Sequence, residues 1–147
     1  MSDLLALAER CEAATGPDWA LNAEIEIVVR GFPQRAYDQR NGMRPRGTPA
    51  IDRLEFVRKG WASDYTGSID AATSLFPGET MYRSGHSATG PDPSMFFCDA
   101  VTDAPLCADV HALAMTEPLA RTAAALRARA ASTPSLNAEI AGINQGD

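Results

Sequence analysis

The chain has 147 residues, 45% of them apolar and 22% charged, and its 13 basic and 19 acidic side chains leave a net charge of −6. That is enough chain for one domain with a buried core, too apolar for a disordered segment and too acidic for extended nucleic-acid binding. No basic stretch precedes an apolar run near Met1, no run reaches the roughly 18 apolar residues of a membrane span, and Cys11, Cys98 and Cys107 lack any C-x-x-C spacing. Secretion, membrane insertion, a disulfide framework and a zinc knuckle are therefore not expected, and a reducing cytoplasm is.

Leu4, Leu5, Ala8 and Cys11 recur near the helical period with Asp3 at the start, which predicts an amphipathic helix stopped by Gly16. Gly16-Pro17-Asp18 has the punctuation of a tight corner between helices. In the next segment Leu21, Ile25, Val28 and Val29 make a helical stripe, whereas Ala23, Ile25, Ile27 and Val29 alternate with acids as a strand would. The Pro-Asp start and the Gly31-Phe32-Pro33 stop favour helix. Residues 31–48 turn to Arg, Gln, Gly and Pro and predict a long loop, of the kind that is functional or mobile.

Ile51, Leu54, Phe56 and Val57 then suggest a short strand ending at Gly60. Tyr65-Thr66-Gly67-Ser68 precedes Ile69, Ala71, Ala72 and Leu75, a short helix with Thr66 as its cap and Pro77-Gly78 as its end. Strands are expected at 80–83 and 94–99, with Met81, Tyr82, Met95, Phe96 and Phe97 as the buried face of a sheet and Cys98 as an inert core residue. Residues 85–93 between them read as a polar turn. A final helix begins at Thr116-Glu117-Pro118, carries Leu119, Ala123, Leu126 and Ala130, and stops at Ser132-Thr133-Pro134. The domain is thus expected over 1–134, with an Arg-rich loop at about 31–50 and a polar, fraying tail over 135–147. The pentapeptide Leu136-Asn137-Ala138-Glu139-Ile140 repeats Leu21 to Ile25, and shared helix-forming composition explains it more simply than duplication. The expected fold is α/β (α+β): a layered sandwich of helices on a small, mostly antiparallel sheet.

The order of motifs resembles a known family. The stretch from Leu4 to Asp18, Leu21 to Ile25, Tyr65-Thr66-Gly67-Ser68-Ile69-Asp70-Ala71-Ala72, Tyr82-Arg83 and the run from Ala123 to Ala130 are similar to the phage ABA sandwich domain family, over about half of the chain. The resemblance implies a compact layered α/β fold, a phage or prophage accessory gene and action in the host bacterial cytoplasm. It implies no activity, cofactor or catalytic residue. The chain departs from shorter members at residues 35–53 and 85–93.

Charge is the most informative feature of the residues themselves. Eight of the 13 basic side chains lie between Arg30 and Lys59 against three acids, a segment of +5 on a remainder of −11. Arg40, Arg44, Arg46, Arg58 and Lys59 are candidates to grip phosphate, and Trp61 or Tyr65 to stack on a base. A solvated loop pairing with the protein's own acids accounts for the same charges. Thr66 and Ser68 open a helix and offer hydroxyls and amides to an anion, although Asp70 would repel it and ordinary capping suffices. His86, beside Arg83, is a candidate to polarise a phosphoryl group; neither it nor His111 falls in a metal-binding spacing.

The sequence thus leads to a non-catalytic binding protein for counter-defence. It would sequester a phosphate-bearing nucleotide signal or block a host defence protein, with no cofactor and as a homo-oligomer paired through an open sheet edge. A phage structural or assembly protein is the alternative, and a small phosphodiesterase using His86 and Arg83 ranks last.

Overall fold

The computed structural model describes residues 2–78, 80–86, 95–102 and 108–146. Within them lie α1 (Ser2–Ala13), α2 (Trp19–Arg30), α3 (Gln34–Gly42), α4 (Arg53–Gly60), α5 (Ile69–Thr73), β1 (Met81–His86), β2 (Phe96–Val101), β3 (Asp109–Ala114) and α6 (Glu117–Gly146). The protein is mixed α+β, a three-stranded antiparallel sheet in the order β1-β2-β3 with helices packed against it. Residues 87–94, including most of the expected polar turn, and Cys107 lie outside the described residues.

The first helices follow their local chemistry. Leu4, Leu7, Ala8 and Cys11 face the core from α1. Asp18 caps α2 by accepting from Leu21 N at 3.0 Å, and Gly31 ends it at φ +89°, where a side chain would be strained. The ambiguous segment is therefore helical: Leu21 and Ile25 are buried one turn apart.

Helix α6 is the centre of the molecule. Leu119, Ala120, Ala123, Ala124, Ala125, Leu126 and Ala128 are all fully buried, so this stretch has apolar neighbours on every side. Alanines let α1 and the sheet approach its backbone closely. The inner face of the sheet answers with small residues, Cys98, Ala100, Ala112 and Ala114. Of the aromatic and methionine side chains expected there, Phe96 packs against the core, whereas Met81 is 77% exposed and Tyr82 is exposed, stacked on Phe76 at 4.7 Å. Phe96, Phe97 and Met95 are only half-buried. The alanine-rich face of α6 lies close over the strands, so the fully buried sheet positions opposite it hold small side chains.

Polar contacts close the edges. Glu12 of α1 receives both terminal nitrogens of Arg127 and accepts from Leu113 N at 3.2 Å, while Arg127 donates to His111 O at 2.8 Å. These contacts tie α1 and α6 to the outer edge of β3. At the other side Arg121 donates to Ser84 Oγ and Thr73 Oγ1, each at 2.7 Å, joining α6 to β1 and α5.

Four local expectations are corrected. Residues 53–60 form a helix, not a strand, because Asp52 caps it by accepting from Glu55 N at 3.0 Å and only Val57 is fully buried. The Arg-rich segment is not all loop, since α3 occupies its first half. The strand β3, around Val110 and Ala112, was not foreseen; half of its apolar residues are alanine and gave little signal. The last helix continues through Pro134 to Gly146, as the loss of one amide donor need not end a helix. The repeated pentapeptide at 136–140 lies on this helix, its side chains outside those described.

Candidate functional site

Helices α3 and α4 form a small lobe against α2, held by aromatic rings instead of aliphatic packing. Phe32, Tyr37 and Phe56 meet with centroids 5.0–6.5 Å apart, and Trp61 joins Phe56 at 6.2 Å. Arg53 lies over the Phe32 ring at 4.1 Å. The loop from 43 to 52 is fastened to α3 at two points and to itself at a third. Tyr37 Oη donates to Ile51 O at 2.5 Å, Asn41 Oδ1 accepts from Ile51 N at 2.9 Å, and Arg44 Nε donates to Pro49 O at 3.1 Å. Gly47, at φ +85°, allows the chain to reverse there.

This lobe contains a cleft of about 460 Å³ lined by Arg40, Arg44, Ile51, Glu55, Phe56, Lys59, Gly60 and Trp61. Its size suits a small molecule. Arg40 and Arg44, four residues apart, enter from α3 and the loop beyond it; Lys59 and Trp61 come from the end of α4. Arg40 has no ion-pair partner among the described residues. Trp61 is 50% exposed, and Phe56 lies against its ring at 31°. Glu55 is the acid of the cleft: Arg58 donates to it through Nε at 3.0 Å and through Nη2 at 2.5 Å, and Lys59 Nζ stands 3.4 Å away. The Arg58 hydrogen bonds hold its carboxyl below the usual range.

Four candidates from the sequence, Arg40, Arg44, Lys59 and Trp61, thus meet in one place, and the others do not. Arg58 is spent on Glu55, and Arg46 is exposed on the loop outside the cleft lining. Tyr65 cannot stack on a ligand. It is fully buried, its hydroxyl donates to Glu26 Oε1 at 2.7 Å, and burial first and Glu26 second push it up to about 12. Thr66 is equally occupied, donating to Asn22 Oδ1 at 2.8 Å and accepting from Asp18 N at 2.8 Å. Ser68, not Thr66, caps α5, through Ala71 N at 3.3 Å. A Cβ on Gly67 would lie 2.6 Å from Asp64 Oδ2, so a carboxylate already fills the space that the anion candidate required.

Arg83 and His86 are separated by the sheet. Three positions apart on β1, they point to opposite faces. Arg83 reaches Asp99 at 3.5 Å on the outer face, where Asp99 also engages His111, and His86 stands edge-on to Phe96 at 4.7 Å. No acid-base pair forms between Arg83 and His86. Among the described residues no group of His, Cys, Asp and Glu is arranged to hold a metal ion, and no helix is long and apolar enough to cross a membrane.

Four residues of the cleft were missed in the sequence: Ile51, Glu55, Phe56 and Gly60. The signal was present in Asp52-Arg53-Leu54-Glu55, a capping spacing that turns 53–60 into a helix and brings Glu55 and Lys59 onto one face. Comparison with protein-family models, curated proteins and solved structures gives no match, so the resemblance to the phage ABA sandwich family rests on the motifs quoted above.

Proposed function

We propose that the protein is a non-catalytic binder that takes a phosphate-bearing nucleotide into the α3–α4 cleft, and that a phage uses it to withdraw such a signal from host defence. The observation that carries the binding reading is the convergence of Arg40, Arg44 and Lys59 around the half-exposed ring of Trp61. Arginine forks and an ammonium match phosphate oxygens, and an indole offers a stacking face to a base. The counter-defence setting is supported by the phage family resemblance alone. Self-association through β1, the sheet edge opposite the one tied to Glu12 and Arg127, accompanies this reading.

The test is native mass spectrometry of protein purified from host cells with defence signalling triggered, which reads oligomer mass and retained small molecules together. A retained nucleotide is expected. The variant carrying Arg40→Ala and Arg44→Ala should lose it, with the melting temperature changed by no more than about 2 °C because both side chains are exposed. A ligand-free wild type, and no binding to any nucleotide offered in vitro, would overturn the proposal and move the weight to a protein partner.

A further inference from the structure

Arg40 reaches the cleft from the last turn of α3, Arg44 from just beyond it, and Lys59 from the last turn of α4. The acid of the lining, Glu55, is already matched, because Arg58 donates to both of its oxygens with Nε and Nη2. Lys59 stands 3.4 Å from the same carboxylate, a looser contact that an anion can draw away. Arg44 is steadied by its Nε on Pro49 O at 3.1 Å, which leaves its two terminal nitrogens for a ligand. Against the cations of Arg40, Arg44 and Lys59 stand the carbonyl ends of α3 and α4, worth about half a negative charge each, so the cleft keeps an excess of about two positive charges.

A ligand that cancels this excess carries two negative charges in one compact group. A phosphate monoester does so above its second ionisation near pH ~6, and it offers three terminal oxygens to three cations. A cyclic phosphate, like any other diester, carries one charge and two free oxygens, and it leaves a cation in the cleft without a counter-charge. We infer that the cleft is matched to a terminal phosphate monoester: the nucleotide it takes ends in a free phosphate held by Arg40, Arg44 and Lys59, and cyclic or diester-linked nucleotides are the poorer ligands. This inference rests on the nucleotide reading above and narrows its ligand class.

The test is isothermal titration calorimetry with the 5′-monophosphates and the 3′,5′-cyclic monophosphates of adenosine and cytidine. At about pH 7.5 each monophosphate is expected to bind at least about tenfold tighter than its cyclic form. At about pH 5.5 the two should come within about threefold, because most of the second phosphate charge is lost below pH ~6. The groups facing the phosphate keep their charge over that range. Arg40, Arg44, Arg58 and Lys59 stay cationic, Glu55, held below the usual carboxylate range by Arg58, stays ionised, and His86 and His111 lie outside the cleft lining. Arg40→Gln, which removes one of the excess charges, should reduce the preference at about pH 7.5 to about threefold or less. Cyclic forms that bind as tightly as the monophosphates, or a preference unchanged at the lower pH, overturn the monoester inference and leave the nucleotide reading standing. A preference untouched by Arg40→Gln overturns the part given to Arg40, and failure of all four probes to bind overturns the inference together with the reading beneath it.

Discussion

The body of the protein and its α3–α4 lobe are built on opposite terms. In the body, α1, α2, α5, α6 and the sheet supply the fully buried leucines and alanines, and ion pairs such as Glu12 with Arg127 and Arg121 with Glu117 close over them. In the lobe α3 has no buried residue and α4 has one, the packing is done by half-buried rings, and cations stand open to solvent. The body spends its polar groups on its own structure, as Asn22, Thr66, Tyr65 and Glu26 do. The lobe leaves polar groups available, and that is where a ligand can gain by binding.

Alkali should break the body most completely. Burial pushes the thiols of Cys11 and Cys98 from 9.0 up to about 12, and Tyr65 from 10.0 up to about 12. Raised folded-state values mean that the unfolded chain releases these protons first. The stability they contribute is complete below pH 9 and is lost as pH rises toward 12. Circular dichroism should therefore show a level signal from neutral pH to about 9 and cooperative unfolding before 12.

Core truncation comes next. Leu126→Ala should cost about 3 kcal/mol in urea unfolding, because truncating a fully buried leucine of the core cluster leaves a cavity. Thr66→Val should cost about 2 kcal/mol by leaving Asp18 N–H without its acceptor and Asn22 without one of its donors. A loss under about 0.5 kcal/mol would mean that the clasp between α2 and residues 64–66 is not structural.

Phe56→Ala sharpens the comparison at smaller cost, about 1.5 kcal/mol, because it removes the ring shared by Tyr37, Phe32 and Trp61. Hydrogen exchange should then accelerate in α3 and α4 and stay slow in α6, and nucleotide binding should disappear. Uniform acceleration through both regions would show that the lobe does not open separately.

How legible each region was follows from its packing. The helices α1, α2 and the start of α6 were readable because leucine and alanine periodicity and the Asp18 cap agree with the final burial. The helix α4 was misread because Ile51, Leu54, Phe56 and Val57 carry strand propensity, which the Asp52 cap and packing on α2 outweigh. The sheet was found at two strands of three, but its buried face was assigned to its largest side chains, of which Phe96 packs against the core, while the fully buried positions hold Cys98 and alanines. Of the candidate site, the charge excess in 30–59 was visible as composition, yet composition could not say that Arg58 and Tyr65 are occupied while Arg40 and Trp61 are open.

Sequence alone determined what depends on neighbours along the chain: an acidic α+β protein, helix caps such as Asp18, its basic segment and the cysteine that sits in a strand. Tertiary structure decided which of those basic and aromatic residues share a cleft, and it placed Asp64 against Gly67 in the space an anion would have needed. The reason is physical. Capping and periodicity are short-range, whereas the occupancy of a side chain's hydrogen bonds depends on partners such as Asn22 and Thr66, 44 residues apart, which only folding brings together.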